Sequence, residues 1–203
     1  MIQYFLERPY LILLMVALVV LTVFVCIKAG QASSRHSKEV EKIMKKLKEE
    51  NILRNEFSAL TAELVENSDP SRLFKGVALN LQKKVSDASD MNAEFDGLCD
   101  EQKEIYALSF VVEDGGEKLS EFFRANGQPL TGVALGAAKK LLGGRAAVIF
   151  GEEYDMFDSE NESVSFVASK IEALDSEFSK LVSSEKISLV SGKYIAENKE
   201  KFI

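Results

Sequence analysis

The feature of this sequence that most restricts its fold is an uncharged apolar run near its start, PYLILLMVALVVLTVFVCI, at residues 9–27. The run contains 19 residues without a charged side chain. As an α-helix it would be about 28 Å long, close to the roughly 30 Å hydrocarbon core of a bilayer. We therefore predict a single transmembrane helix at residues 9–27 that contacts the lipid bilayer, preceded by a short N-terminal tail at residues 1–8.

Two other interpretations of this run were weighed. A cleaved signal peptide begins with basic residues and has a shorter apolar run, whereas the start here, MIQYFLER, carries one Arg and one Glu. The small residues Ala29, Gly30 and Ala32 are compatible with a cleavage site, so cleavage is kept as an alternative. A buried core helix fits less well, because the run has no polar face. An uncleaved membrane anchor is the interpretation we adopt.

Basic residues flanking the run predict its orientation. Only Arg8 precedes it, whereas seven Lys and Arg residues lie between Lys28 and Lys48. Cytoplasmic flanks of membrane helices carry such an excess of positive charge. We therefore predict a single-pass protein of the cell membrane whose C-terminal domain is cytoplasmic. The lone thiol of that domain, Cys99, agrees with a reducing compartment.

A basic juxtamembrane segment and a stalk helix are predicted at residues 28–69, and the second half of the stalk helix is expected to pack on the domain. Residues 37–66 contain neither Pro nor Gly, and their apolar residues keep a spacing of three or four. The heptad pattern breaks between Leu47 and Leu53, so the sequence gives only weak evidence for a coiled coil. A homodimer formed through this helix is left open.

The remainder, residues 70–203, is predicted to be an acidic, all-helical soluble domain. Its apolar residues recur at helical spacing in about seven segments that are separated by Gly, Asn, Pro and Ser, and no segment alternates with a period of two. The predicted fold class is therefore all-α, a compact bundle of about seven helices. Asp69, Asp100 and Ser183 are predicted to cap helices, and residues 87–97 are predicted to form a polar connection. Residues 66–203 carry a net charge of −9. Because phosphate neutralisation provides most of the affinity for nucleic acid, direct binding to nucleic acid is not expected.

The order of several short steps in this domain resembles a known family. The steps are FDGLCDEQKEIYALSFVVEDGG, then SEFF, then Asn126-Gly127, then an Ala/Gly/Leu-rich helix, an acidic segment and the ending YIAENKEKF. Together they resemble the helical domain of the DNA-mimic-protein-like family, a domain of unknown function, over about residues 72–203. Asp114 and Glu121 depart from the family pattern, which has Asn and Gln there, and the spacing to Phe122-Phe123 is about two residues longer.

The resemblance implies an all-helical fold, a protein partner and no catalytic activity. One member of the family is an acidic dimer that imitates the charge of DNA to occupy a DNA-binding protein. The resemblance also implies that one corner of the domain shapes a surface. The residues of this corner are Glu113, Asp114, Gly115, Gly116, Phe122 and Phe123.

The residues themselves indicate little catalytic chemistry. A Ser-His-Asp or Cys-His arrangement needs an imidazole, and the only histidine, His36, lies in the juxtamembrane segment. A zinc site needs several Cys or His ligands, and no phosphate-binding GxxxxGK[ST] loop is present. We predict no catalytic residue, no cofactor and no metal. A pair of carboxylates in a cleft is left open, with Glu113 and Asp114 as the best candidates.

The segment EEYDMFDSENE, residues 152–162, is the most acidic part of the chain. It is interpreted either as a solvated loop before a helix or as a docking surface for a basic partner. For the second case the partner-binding residues are Glu152, Glu153, Asp155, Asp158, Glu160 and Glu162.

These observations lead to one functional hypothesis and two alternatives. The hypothesis is a membrane-anchored, cytoplasm-facing protein-interaction module without catalytic activity that docks a basic partner through its acidic surface. The first alternative is a DNA mimic that sequesters a DNA-binding protein. The second is a carboxylate-dependent enzyme.

Overall fold

A computed structural model describes residues 39–157 and 167–203, together with Leu18, Leu21 and Thr22. Within these ranges all regular structure is helical and no strand occurs, which confirms the all-α prediction. We number the helices α1 to α10 in chain order. They are α1 (39–56), α2 (Ala62–Asn67), α3 (Pro70–Ser86), α4 (Met91–Asp96), α5 (Asp100–Asp114), α6 (Leu119–Ala125), α7 (Leu130–Leu141), α8 (Gly144–Phe157), α9 (Ala168–Leu181) and α10 (Ser184–Glu197), followed by a 3₁₀ turn at Lys199–Lys201.

The predicted architecture is wrong in its membrane-spanning part. None of the helices in the described residues is long and apolar enough to cross a bilayer, because each of the longer ones, such as α1 and α3, carries charged side chains along its polar face. Of the predicted span 9–27, only Leu18, Leu21 and Thr22 are described, and its other residues lie outside the described ranges. The predicted tail at residues 1–8 also lies outside them.

The predicted number of helices is too small. The stalk was expected to be one helix, but helical structure ends at residue 56, and α2 begins after Thr61, whose hydroxyl accepts a hydrogen bond from the backbone N–H of Leu64. The connection after α3 was expected to be non-helical, but it contains α4. Asp90 begins α4 by accepting hydrogen bonds from the N–H groups of Asn92 and Ala93. Both short helices have caps that periodicity alone does not reveal, because they span only six residues each.

The chain divides into two units, Met1–Glu49 and Glu50–Ile203. Residues 50–69, which the sequence analysis placed in the stalk, therefore belong to the second unit. The reason is visible at Phe57, a residue 2% exposed whose ring lies where a side chain on Gly76 of α3 would have to be. Glycine at position 76 thus admits the aromatic ring of Phe57 into the core.

The second unit is held together most closely where α3 meets α10. A Cβ atom at Gly192 of α10 would overlap the carbonyl oxygen of Pro70 at the start of α3. The two backbones can approach this closely only because residue 192 has no side chain. The start of α3 lies where the sequence predicts it. The Asp69 side chain accepts a hydrogen bond from the N–H of Arg72, and Pro70 occupies the first turn.

An aromatic cluster occupies the space between α6, α8 and α9. Phe123 lies at its centre and makes an edge-on contact with Phe150 at 5.2 Å and a stacked contact with Phe157 at 5.7 Å, both between ring centroids. Phe122 and Phe178 extend the cluster on the two sides of Phe150. The cluster packs against one face of α8, the helix that carries the acidic residues 152, 153 and 155.

Candidate functional site

The described part of the acidic segment is helical. Residues 152–157 form the end of α8, so the interpretation as a loop does not hold for them. Glu152 forms ion pairs with Arg145, at 3.0 Å between Oε1 and Nη1, and with Lys170, at 3.3 Å between Oε2 and Nζ. Asp155 is exposed. The remaining predicted residues, Asp158, Glu160 and Glu162, lie outside the described ranges.

The positive charge beside Glu152 is shared with a second carboxylate. Arg145 donates to both carboxylate oxygens of Glu177, from Nε at 2.8 Å and from Nη2 at 2.9 Å. This bidentate contact lowers the pKa of Glu177 and, together with the hydrogen bond to Glu152, raises the pKa of Arg145. A basic partner would therefore compete with cations of the same chain for Glu152.

Glu153 does not point to solvent at all. Its side chain is fully buried, and neither carboxylate oxygen has a hydrogen-bond partner in the structure. Burial raises the pKa of Glu153 to about 8, the nearby charge of Asp175 adds to this rise, and the charge of Arg124 opposes it. Glu153 is thus a core residue that is protonated at neutral pH and is unsuited to direct ion pairing with a partner.

The neighbouring carboxylate, Asp175 of α9, has a structural partner. Its Oδ1 accepts the backbone N–H of Ser120 at 2.9 Å, and its Oδ2 accepts the Ser120 hydroxyl at 2.6 Å. Ser120 lies in the first turn of α6, where the N–H groups have no partner within the helix. Asp175 therefore joins α9 to the beginning of α6.

The corner that the family resemblance singled out joins α5 to α6. The Asn126 side-chain nitrogen donates to Oδ2 of Asp114 at 2.9 Å and to the carbonyl oxygen of Phe122 at 3.0 Å. A Cβ atom at Gly115 would lie 2.6 Å from the carbonyl oxygen of Val111, so this position requires glycine. Phe122 and Phe123 are buried in the aromatic cluster, whereas Gly116 is exposed. Most of the corner therefore serves the connection between two helices.

Glu113 is the corner residue that faces a cleft. Its Oε1 accepts a hydrogen bond from the Gln82 side-chain nitrogen at 3.0 Å, and the same nitrogen donates to Ser109 Oγ at 2.9 Å. The cleft lies between α3 and α5, has a volume of about 460 Å³ and is called the polar cleft below. Its lining residues are Arg54, Leu79, Gln82, Lys83, Ser86, Asp87, Tyr106, Phe110 and Glu113.

A second cleft shares Tyr106 with the first. It has a volume of about 430 Å³, and we call it the apolar cleft because most of its lining is hydrocarbon. Asp96 is the one charged residue among the described residues that line it, and Met91, with 58% of its surface exposed, stands at its rim. The lining residues are Val85, Met91, Asn92, Phe95, Asp96, Tyr106, Gln128, Pro129 and Leu130.

Tyr106 is the central member of an aromatic row between the two clefts. Its ring centroid lies 5.4 Å from that of Phe95 and 5.1 Å from that of Phe110. Burial raises the pKa of Tyr106, and the charge of Glu113 adds to the effect, so its hydroxyl stays neutral and can both donate and accept hydrogen bonds. Tyr106 is not among the site residues predicted from the sequence. The available signal was the pair Tyr106 and Phe110, four residues apart on the face of α5 beside its apolar stripe.

A third cleft brings three carboxylates together. It has a volume of about 230 Å³ and is lined by Glu117, Lys118, Glu172, Asp175, Ser176 and Ser179. Asp175 is already engaged with Ser120, as described above. No group of three or more His, Cys, Asp or Glu side chains in residues 39–157 and 167–203 is arranged to hold a metal ion.

The pair of Lys140 and the buried Tyr194 shows no sign of an activated nucleophile. Lys140 Nζ donates to the Tyr194 hydroxyl at 2.6 Å and to the Glu104 carboxylate at 3.0 Å. The pKa of Lys140 is raised by these contacts, and burial raises the pKa of Tyr194 to about 12. Both groups keep their protons at neutral pH, which suits a contact that joins α5, α7 and α10.

Comparisons with family models, with curated proteins and with solved structures found no match to this chain. The resemblance to the DNA-mimic-protein-like family therefore stays a prediction from the sequence.

Proposed function

We propose that this chain is a protein-interaction module that docks a basic segment of a partner protein beside Tyr106. The observation that carries the proposal is the apolar cleft, whose lining combines a hydrocarbon surface with the single carboxylate of Asp96. A concave apolar site with few polar groups is the usual form of a binding pocket. A large apolar side chain of the partner fills such a cleft, and a neighbouring Lys or Arg side chain pairs with Asp96.

The polar cleft extends this surface on the other side of Tyr106. It adds the half-buried rings of Tyr106 and Phe110 and the carboxylates of Asp87 and Glu113. The cations Arg54 and Lys83 also line it, and Lys83 Nζ lies 3.9 Å from Asp87 Oδ2, so the charge of this cleft is balanced. Because Tyr106 contributes to both clefts, one extended segment of a partner can occupy both at once. Aromatic residues in such central positions often dominate the binding energy of an interface.

The charge of the molecule supports a basic partner over an acidic one. Residues 66–203 carry a net charge of −9, and complementary charge speeds the encounter of two proteins. A DNA-binding protein is one class of basic partner, as the predicted family resemblance suggests. We assign binding to this surface because the lining of the apolar cleft brings together no pair of a nucleophile and a base.

A peptide selection tests the proposal directly. Random peptides displayed on phage are selected on the wild-type chain and then depleted on the Met91→Glu variant, which places a charge at the rim of the apolar cleft. We expect the remaining peptides to share a large apolar residue with Lys or Arg next to it. A consensus of acidic residues, or no consensus, would contradict the proposal.

Two variants assign the selected peptides to this surface. Asp96→Lys should weaken their binding and reduce its dependence on salt, because it removes the carboxylate that pairs with the basic residue. Val148→Glu is the matched control, since Val148 is also an exposed apolar residue, 52% exposed, but lies on α8 outside both clefts. It should bind like the wild type. Equal binding by the wild type, Asp96→Lys and Val148→Glu would show that the peptides attach elsewhere.

The acidic segment gives a second arm of the same experiment. Charge reversal at Asp155, Asp158, Glu160 and Glu162 tests the docking surface that the sequence predicted, and it leaves the ion-paired Glu152 and the buried Glu153 intact. This arm uses peptides selected on the wild type without the depletion step. If the charge-reversal variant loses these peptides while Met91→Glu retains them, the docking surface is the acidic segment, and the proposal for the Tyr106 clefts fails.

A further inference from the structure

The first part of α1 carries an exposed apolar stripe. Val40, Ile43, Met44 and Leu47 follow one another at intervals of three, one and three residues and therefore share one face of the helix. Their exposed fractions are 44%, 58%, 50% and 47%. A contiguous exposed apolar face of this kind marks a site of contact with another molecule.

Charged residues flank the stripe in the same order on both sides. On one side Glu39 is followed seven residues later by Lys46, and on the other side Glu41 is followed seven residues later by Lys48. Seven residues correspond to about two turns, or about 10 Å along the helix. Each side therefore has a carboxylate towards the N-terminus and an ammonium group towards the C-terminus.

We propose that this face pairs with the same face of a second copy of the chain, with the two helices antiparallel. An antiparallel pair centred between Ile43 and Met44 places Val40 of one copy opposite Leu47 of the other. The same register places Ile43 opposite Met44. The stripe is thus complementary to itself in a twofold arrangement, as an interface between identical subunits requires.

The flanking charges select the antiparallel orientation. In this register Glu39 lies opposite Lys46 of the second copy and Glu41 lies opposite Lys48, so all four charged contacts of the dimer are attractive. In a parallel pair, Glu39 and Glu41 of the two copies approach one another, as do Lys46 and Lys48. Like charges at such positions oppose association, and opposite charges set the orientation of paired helices.

The polar face of the helix argues against a membrane surface as the occupant. Residues 39–49 contain four Lys and three Glu, and helices that lie on anionic lipid carry mainly cations on their polar face. Lys45 is paired with Glu49 on the side opposite the stripe. The nearly balanced charge suits a second copy of the same helix better than a negatively charged surface.

Cysteine trapping tests both the contact and its direction. The full chain is purified with Cys26 and Cys99 replaced by Ser, and single cysteines are oxidised. We expect Met44→Cys, close to the twofold axis, to form a disulfide-linked dimer. Val40→Cys and Leu47→Cys should each stay monomeric alone but form a dimer when the two are mixed. Lys45→Cys, on the opposite face, is the control and should not form a dimer.

Any other pattern of disulfide-linked dimers among these variants overturns the proposal. Dimers of Val40→Cys alone and Leu47→Cys alone would show a parallel pair. Equal trapping of Met44→Cys and Lys45→Cys would show random collision.

A charge exchange tests the flanking residues. In the Met44→Cys chain, Glu39→Lys with Glu41→Lys should reduce trapping to the level of the Lys45→Cys control, and Lys46→Glu with Lys48→Glu should do the same. Mixing the two variants should restore the dimer, because every contact then joins opposite charges. Failure of the mixture to recover, with each helix still formed by circular dichroism, would contradict the assigned register.

Discussion

Glu153 shows how a single residue can make the stability of this fold depend on pH. Its carboxyl is fully buried without a hydrogen-bond partner, and its pKa is raised to about 8 by burial and by Asp175. The unfolded chain releases this proton near the ordinary value of 4.5, whereas the folded chain keeps it. The folded state therefore binds more protons between these two values, and its stability falls as the pH rises through this range.

Replacement of this carboxyl by an amide should remove that dependence. We expect Glu153→Gln to be nearly neutral near pH 4.5 and increasingly stabilising relative to the wild type up to pH 8, by up to about tenfold in the folding constant per pH unit, with no further gain above it. Urea unfolding at several pH values measures this difference. Glu197→Gln, at an exposed carboxylate on α10, is the control. Parallel pH profiles of wild type and Glu153→Gln would contradict the assignment.

Two glycines are required because any side chain at their positions would clash with a neighbour. Gly76 makes room for the ring of Phe57, and Gly115 has no Cβ atom that would clash with the carbonyl oxygen of Val111. These requirements come from neighbours in space. Gly115 was predicted from the sequence as part of a helix end and of the corner in the family resemblance, whereas Gly76 was not predicted to matter. Residue types in the sequence are visible, but the atoms that surround them are not.

At the scale of elements, the contact of α3 with α10 depends on Gly192. A side chain at this position would overlap the carbonyl oxygen of Pro70 and push the two helices apart. Overpacking of a core usually costs about 1–3 kcal/mol. We expect Gly192→Ala to lower the free energy of unfolding by about 3 kcal/mol or more. Urea denaturation followed by far-ultraviolet circular dichroism measures this change.

The matched control for this contact is another helical glycine. Gly136 lies within α7, and a Cβ atom there would meet nothing within 4 Å. Gly136→Ala should therefore stabilise the protein by about 0.5–1 kcal/mol, because alanine loses less backbone entropy on folding. If both variants stabilised the protein, the close approach of α3 and α10 would be wrong.

Helix boundaries were predictable where the cap lies in the local sequence. Asp69-Pro70 begins α3 and Ser183 begins α10, as expected. Asp100 was expected to cap α5 but is the first residue of that helix, and Cys99 precedes it without a side-chain cap. The helix α4 was missed because its six residues contain too few apolar positions to show a period.

At the scale of the whole molecule, the division at Glu50 predicts which part folds by itself. A chain of residues 50–203 should unfold cooperatively with the same free energy as a chain of residues 39–203, because the buried core begins at Phe57. Phe57→Ala in either chain should cost about 3–5 kcal/mol, as expected for a buried aromatic residue. A marked loss of stability on removing residues 39–49 would show that the first unit contributes to the core.

The location of the whole protein is a separate matter from its fold. The predicted architecture with a transmembrane helix is wrong, because none of the described helices is long and apolar enough to cross a bilayer. The cytoplasmic localisation stays a prediction, since it depends on residues 1–38, which lie almost entirely outside the described ranges. The surfaces proposed here for docking and for pairing lie in residues 39–157 and do not depend on it.

The sequence alone determined that the described chain is helical, because helix formation follows from local spacing of apolar residues and from caps such as Asp69 and Ser183. Only the tertiary structure decided which polar residues are available for binding. It buried Glu153, paired Glu152 with Arg145 and Lys170, and opened two clefts beside Tyr106. The physical reason is that burial depends on which helix faces meet, and these contacts join residues far apart in the sequence.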